Sequence, residues 1–311
     1  MSWPLPGPSG AVAVVVAYLI DRLWGEPPAR WHPVVWIGRA LSSVGAPWPQ
    51  AAPRAQFVRG AVVWLALALV CVAAGIAADR LIAAIAALAP PALAIVVRGL
   101  LLAGLLKPLF AWRMLRDEVC AVEQALGRGV EAGRDRLRHI VGRDTAELSE
   151  TVVRESALES LAENLNDSFI AALFWFCLGG LPGAALYRFA NTADAMYGLR
   201  GRWEWAGKWA ARADDVLSCV PARLTALLLA IAAWRWPGGL PREARRTASP
   251  NGGWPMGMLA LALDVRLSRP GYYVLHAAGH CAGPDDISRG LRIAGRAACS
   301  AVVVAALVQL A

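Results

Sequence analysis

Long apolar runs dominate this chain, and two of them, 57–78 (FVRGAVVWLALALVCVAAGIAA) and 90–110 (PPALAIVVRGLLLAGLLKPLF), carry few polar interruptions. Each reaches the roughly 20 residues that a helix needs to span the hydrocarbon core of a bilayer. Weaker runs at 9–24, 216–236 and 294–311 predict further spans. The apolar stretch from 168 to 190 differs, because Gly179, Gly180, Pro182 and Gly183 interrupt it. Glycine removes backbone restraint and proline removes an N–H donor, so a continuous helix is not expected there.

Between the runs, the basic residues give an orientation. Residues 21–59 contain Arg22, Arg30, Arg39, Arg54 and Arg59, and residues 111–167 contain Arg113, Arg116, Arg128, Arg134, Arg136, Arg138, Arg143 and Arg154. The connection at 79–89 has only Arg80. The positive-inside rule places the first two segments in the cytoplasm and the third outside. A full crossing at 168–190 would put Arg200, Arg202, Lys208 and Arg212 outside, so a re-entrant broken hairpin is the better expectation. The predicted fold is all-α. It is a polytopic integral protein of the cell (inner) membrane with about 4–6 membrane helices, and 1–311 forms a single membrane-embedded domain. Residues 111–167 are its polar, helical cytoplasmic segment.

Composition agrees with that reading. The chain is 57% hydrophobic and 17% charged, against about 25% charged in ordinary soluble proteins. Mean hydropathy is +0.46, and the 14 Trp suit membrane interfaces. The net charge of +8 comes from arginines, with Lys107 and Lys208 the only lysines, and no basic tract is present. Membrane topology accounts for this excess better than a nucleic-acid partner does. The six cysteines are scattered without a C-x-x-C pair and read as reduced packing residues. No signal-peptide pattern precedes the apolar stretch at 10–20, which is expected to be retained.

The chemistry concentrates next to the broken run. In ESALESLAENLND (155–167), Glu155, Glu159 and Glu163 follow at i, i+4 and i+8, and Asn166 falls in the same helical arc. Like charges at this spacing destabilise a helix by about 0.2–0.5 kcal/mol per pair. Arg154 cannot neutralise the whole stripe, whereas a hard cation such as Mg²⁺, which takes oxygen ligands, would. A solvated helix face is the plainer alternative. Asn191 and Asp194 stand at i,i+3, and Asp214 and Asp215 precede Arg223 by eight residues or so, with Lys208 just upstream. Adjacent carboxylates face different ways on a helix, and an Asp/Arg pair holding a helix end is the structural alternative.

Several familiar signatures fail. GRWEWAGKW has one residue too many between Gly201 and Gly207-Lys208 for a P-loop, and Trp209 stands where Ser or Thr is needed. There is no G-x-G-x-x-G after a strand and no G-x-S-x-G. His276, His280 and Cys281 have metal-like spacing, but Gly271 and Gly279 argue for loop. His32, in WHPVVWIG, reads first as a hydrogen-bonded structural residue.

Taken in order, DRLWGEPPARWHPVVWIG (21–38), GRDTAELS (142–149), RESALESLAENLND (154–167), YRFANTADAMYG (187–198), ARADDVLSCVPARLTA (211–226) and SPNGGWPMGMLALAL (249–263) resemble the membrane-bound CbiB/CobD family of cobalamin biosynthesis. The resemblance covers nearly the whole chain. It implies an adenosylcobinamide-phosphate synthase, an acid-amine ligase. Such an enzyme joins (R)-1-aminopropan-2-ol, or its O-phosphate, to the f propionate of adenosylcobyric acid, using ATP and Mg²⁺ with the corrinoid as substrate. Membrane lipid and other late cobalamin-pathway enzymes are its implied partners, and the active site is expected to face the cytoplasm.

Residue by residue, the family pattern falls on His32, Arg143, Asp144, Glu159, Glu163, Asn164, Asp167, Asn191, Thr192, Asp194, Asp214, Asp215, Pro221, Arg223 and Asn251, and omits Glu155. This chain departs from it at Glu26, Ser168, Ala195, Ser218 and Gly252. The expected roles are metal binding by Glu159, Glu163, Asp167 and Asp215 and chemistry at Glu159, Glu163, Asp194 and Asp214. Nucleotide or corrinoid contacts are expected from Asn164, Asn191, Thr192, Arg143, Lys208, Arg223, Asn251 and His32. A non-enzymatic membrane regulator resembling the AmpE family, suggested by FIAALFWFCLGGLPGAALYR, is the main alternative, and a transporter with a broken helix is a third.

Overall fold

The structure is a computed structural model and describes residues 7–45, 52–198 and 204–311. Arg200 and Arg202, used above for topology, and Gly201 of the failed P-loop lie outside these residues. Twelve α-helices are found among them: α1 (Pro8–Trp24), α2 (Pro33–Gly45), α3 (Pro53–Ala86), α4 (Pro91–Leu106), α5 (Trp112–Leu126), α6 (Val130–Leu137), α7 (Glu150–Leu165), α8 (Ala171–Tyr197), α9 (Lys208–Ala233), α10 (Leu240–Ala244), α11 (Gly253–Leu263) and α12 (Pro284–Leu310). Prolines open α1, α3 and α4, where the missing N–H has no helical partner to lose. At the start of α7 the Ser149 hydroxyl accepts from Val152 N at 3.4 Å, an N-cap.

Five stretches are long and apolar enough to cross a membrane: Pro53–Ala86, Pro91–Leu126, Glu150–Tyr197, Lys208–Ala233 and Pro284–Leu310. The protein is therefore an all-α, polytopic membrane protein, as its patterning predicts. Its chain sorts into two compact units, one of Met1–Ala111, Ala171–Leu217 and Val302–Ala311, the other of Trp112–Ile170 and Ser218–Ala301.

In the first unit α1 packs on α4, and α3 packs on α8. Small residues set these distances: a Cβ on Gly99 would lie 2.6 Å from Val12 Cβ, and one on Gly75 would lie 2.7 Å from Pro182 Cα. Close backbone approach of this kind replaces the hydrophobic drive that helices lack in lipid. The outer face of α3 is left exposed at Val58, Val62, Leu65 and Leu69, as a lipid-facing surface should be. A core of Leu41, Ala68, Phe189, Ala193, Tyr197, Ala206 and Ala210 joins α2, α3, α8 and the start of α9, and the Tyr197 hydroxyl donates to the Leu41 carbonyl.

The interrupted stretch breaks at Gly180, whose φ of 60° and ψ of −151° belong to a region almost confined to glycine. Beyond it the chain doubles back. A Cβ on Gly183 would stand 2.3 Å from the carbonyl oxygen of Trp175, eight residues earlier, whereas eight residues of straight helix span about 12 Å. The two halves of α8 thus form a tight helical reversal, the shape expected of a re-entrant hairpin.

The first unit also contains a buried ionic knot. Lys107, 3% exposed, lies 2.7 Å from Glu26 Oε1 and 3.1 Å from Asp21 Oδ1 and donates to the Phe110 carbonyl at 3.2 Å. His32 Nδ1 accepts from Val34 N at 3.3 Å, so its Nε2 carries the proton that it shares with Glu26 Oε2 at 2.9 Å. Burial pushes the Glu26 carboxyl upward, but the hydrogen bonds from His32 and Lys107 outweigh it and hold the group below the usual carboxylate value.

In the second unit α5 packs on α6 and α7. Arg154 grips Glu123 in a two-pronged contact at 2.8 and 2.9 Å and Glu150 at 2.7 Å. Its charge is thus spent away from the acidic stripe. Among the described residues the only sheet is a hairpin of β1 (Leu267–Arg269) and β2 (Tyr273–Leu275), with Leu267 opposite Leu275, Ser268 opposite Val274 and Arg269 opposite Tyr273. Gly271, at φ 78°, makes the turn.

Candidate functional site

The acidic stripe of α7 divides into two parts. Glu155 is fully buried and committed: it accepts from Ser268 N at 3.0 Å and from Arg266 Nη2 at 3.3 Å, and also from the Ser268 hydroxyl. It anchors the hairpin strand β1 to α7. One turn later, Glu159 is 4% exposed, and its Oε2 receives Arg143 Nη2 at 2.7 Å. The same guanidinium nitrogen donates to Ser156 Oγ at 2.6 Å. Glu159 Oε1 is buried without a hydrogen-bond partner. Glu163, one further turn on, accepts no hydrogen bond from the described residues. Its charged neighbours are Asp167 and Glu159, which repel it, and Arg269 and Arg143, which attract it.

Directly after α7 the helix widens into a π turn, Asn166–Ile170. Such turns recur at functional sites because they re-aim side chains. Here Asn166 Nδ2 donates to Asp167 Oδ1 at 2.7 Å while Asn166 Oδ1 accepts from Thr225 Oγ1 at 3.0 Å. Asn164 donates to Ser160 O at 3.0 Å, so its amide is partly engaged by its own helix.

The SPNGG loop closes on the same carboxylate. A Cβ on Gly252 would stand 3.1 Å from Glu163 Oε1, so the glycine lets backbone approach the acid. Next to it, Asn251 Oδ1 accepts from Arg223 Nη1 at 3.0 Å, and the Arg223 guanidinium lies 4.9 Å from the centre of the Trp254 ring. From the hairpin, the Tyr273 hydroxyl contributes. Burial first, then the carboxylates of Glu159 and Glu163, push it above the ordinary phenol range, so it is a neutral donor at pH 7. Arg269 lies over Tyr272, 4.6 Å from the ring centre, and its Nε, like that of Arg143, is buried without a hydrogen-bond partner.

The second unit thus brings Arg143, Glu159, Glu163, Asp167, Arg223 and Asn251 of the expected set into one neighbourhood and adds Arg269 and Tyr273. Nothing in periodicity pointed to those two. The signal that would have found them is the turn dipeptide Pro270-Gly271 between two short β-compatible runs. Asp144 is exposed and caps a local turn, its Oδ1 accepting from Ala146 N at 3.0 Å.

Asn191, Thr192, Asp194, Lys208, Asp214, Asp215 and His32 lie in the first unit. Thr192 Oγ1 donates to its own helix at Arg188 O, 2.7 Å away, and Asn191 Oδ1 accepts from Arg188 Nη1 at 3.4 Å. Asp194 shares repulsion with Asp215, while Asp214 is buried. Asp194 also fills the space beside Gly198, where a Cβ would fall 2.1 Å from Asp194 Oδ1. Lys208 sits over the Trp205 ring at 3.5 Å and pairs with Glu204 at 3.6 Å. His32 belongs to the ionic knot. His276 and His280, far from sharing a metal, pair separately with Asp264 at 2.7 Å and Asp286 at 3.0 Å.

Among the described residues no three His, Cys, Asp or Glu side chains converge as a ready-made metal cage. An unpartnered buried carboxylate oxygen on Glu159 beside an unbonded Glu163 still suits a hard cation, one that keeps water or phosphate oxygens in its shell. The acidic groups of the second unit fit such an ion better than a soft or closed structural site.

Comparison with known proteins adds an independent line. Residues 14–294 match the family described as CobD/Cbib protein. A cobalamin biosynthesis protein CobD of Rhodobacter capsulatus is 37% identical over 96% of this chain and 98% of its own. One from Dehalococcoides mccartyi is 34% identical over 93% and 94%. A probable cobalamin biosynthesis protein CobD of Thermococcus kodakarensis is 37% identical over 90% of each chain. No solved structure matches.

Proposed function

This chain belongs to the CobD/CbiB family of cobalamin-biosynthesis proteins, and from that premise we propose that it is the ATP-dependent ligase that forms the aminopropanol amide of the corrinoid. The reaction joins (R)-1-aminopropan-2-ol, or its O-phosphate, to the f propionate of adenosylcobyric acid. The observation that carries the proposal is the second-unit cluster, in which buried and half-buried carboxylates with spare oxygens stand among guanidinium groups.

Amide formation from a carboxylate and an ammonium does not proceed in water without activation, and ATP supplies it. In this proposal Glu159, Glu163 and Asp167, with Asn164 beside them, would hold Mg²⁺. Bound there, the ion would offset phosphate charge and orient the nucleotide. Arg143 and Arg269 would meet phosphate oxygens through their unengaged Nε–H groups, the planar fork being suited to that geometry. Tyr273, held neutral, would donate to an oxygen that gains charge during transfer. Arg223, fixed by Asn251 and Trp254, would receive a carboxylate of the corrinoid. The proton that the attacking ammonium must lose would pass to a carboxylate of the same cluster. ATP is cytoplasmic, so the cluster would face that side of the inner membrane.

The reading is tested with purified protein, ATP, Mg²⁺, adenosylcobyric acid and aminopropanol phosphate, scored by mass spectrometry for the condensed product. Product is expected only when all four are present. Its absence from folded protein supplied with all four, and with free aminopropanol as well, would refute the assignment.

A further inference from the structure

We infer that the first unit carries a binding groove for one acyl chain of an anionic phospholipid. The groove has a volume of about 450 Å³ and lies between α2, α3, the end of α4 and the reversal in α8. Small side chains hollow it out: Ala40 of α2, Ala74 and Ala78 of α3, and Ala185 of α8, with Leu67 and Leu105 among its walls. This volume is within the range of small-molecule sites, but such sites place a few polar groups to orient a ligand. Here no charged side chain lines the walls, and the only indole N–H, that of Trp36, is already donated to the Arg30 carbonyl at 2.9 Å. A polar metabolite or a corrinoid would find no partner. A hydrocarbon chain needs none.

The groove opens on the lipid-facing side, since Val70, one of its lining residues, is 63% exposed. Its α2 wall has the features of an interfacial helix. Trp31 and Trp36 are exposed on and just before it, and amphipathic rings of this kind settle at headgroup level. Two arginines accompany them. Arg39 is exposed, Arg30 rests against Trp31 at 6.0 Å, and no carboxylate among the described residues pairs with either. Unpaired guanidinium groups at headgroup depth beside an apolar groove select an anionic lipid over a zwitterionic one.

The full chain is reconstituted in nanodiscs of phosphatidylcholine and phosphatidylglycerol, with a diazirine placed in the acyl chain of one lipid or of the other in parallel samples, and cross-linked peptides are mapped after photolysis. Cross-links are expected on Val70, Cys71, Ala74 or Leu105 in excess of the outer α3 residues Leu65 and Leu69. Ala74→Leu, which fills the groove from an exposed position, should remove that excess, as should Ala40→Leu as a second filling variant. Arg39→Gln should reduce the preference for phosphatidylglycerol over phosphatidylcholine by about fivefold, the worth of one arginine near a charged surface. Cross-links spread evenly around α3, or an excess that survives both filling variants, would overturn the acyl-chain site. Equal labelling by the two lipids in the unaltered protein would overturn the headgroup selectivity.

Discussion

Replacing Glu155 and Glu163 by glutamine, one at a time, should separate two carboxylates that look alike on the helix. Glu155 has no exposed surface and accepts hydrogen bonds from Ser268 N and Arg266 at 3.0 and 3.3 Å, as well as from the Ser268 hydroxyl. Glutamine keeps one acceptor oxygen and turns an amide donor toward donors. Breaking a buried charge pair from one side costs about 3–5 kcal/mol, and hydrogen bonds to charged groups are each worth about 1.5–3 kcal/mol. The Arg266 side chain is 37% exposed and water can recover it, so the lower end, about 3 kcal/mol, is expected for Glu155→Gln. Glu163 accepts no hydrogen bond from the described residues and has like charges at i−4 and i+4. Removing its charge relieves two repulsive pairs of about 0.2–0.5 kcal/mol each and should leave stability unchanged or slightly raised. Thermal unfolding in detergent, followed by intrinsic fluorescence, measures both. Hydrogen exchange should report faster opening at 267–275 in Glu155→Gln alone. Equal melting of the two variants, or an undisturbed hairpin in Glu155→Gln, would refute the division of the stripe.

Three further outcomes follow from other parts of the structure. Gly180→Ala forces a side chain onto a backbone conformation reserved for glycine and should cost about 1–3 kcal/mol, lowering the melting midpoint, whereas Gly179→Ala, which meets nothing within 4 Å, should not. Glu26→Gln should lower stability at pH 7 by about 1–3 kcal/mol. The folded Glu26 carboxyl lies below its ordinary value, so its contribution is full above that value and fades as pH falls through the lower one; wild type and variant should converge in melts taken toward acid. Arg269→Ala should raise the KM for ATP far more than that for the amine, with Arg269→Lys recovering part of the loss, and unchanged kinetics would remove Arg269 from the phosphate contacts.

The sequence disclosed elements whose signal is local. Apolar length located α3 and α4, and the Gly-Gly-x-Pro-Gly interruption located the reversal at Gly180. Helical spacing found the stripe, and the family resemblance set Glu155 apart from it. What stayed hidden depends on contacts distant in sequence. Strands of three residues have no periodicity, so the hairpin with Arg269 and Tyr273 was not legible. Lys208 is the exception, engaged by its near neighbours Trp205 and Glu204, three and four residues earlier. The π turn that carries Asp167 cannot be distinguished from α-helix by composition. Membership of one helix stripe, likewise, does not reveal that one carboxylate is hydrogen-bonded by a hairpin strand 113 residues away.

The carboxylates of the second unit are proposed to serve ATP-driven amide formation. Condensation of adenosylcobyric acid with aminopropanol phosphate by wild type and by Glu163→Gln, compared at equal folded protein and saturating Mg²⁺ and ATP, tests that role most directly. Product is expected from wild type, with a loss of at least about a hundredfold in Glu163→Gln at an unchanged melting midpoint, the scale seen when one preorganised electrostatic group is removed. Full activity in Glu163→Gln would contradict it.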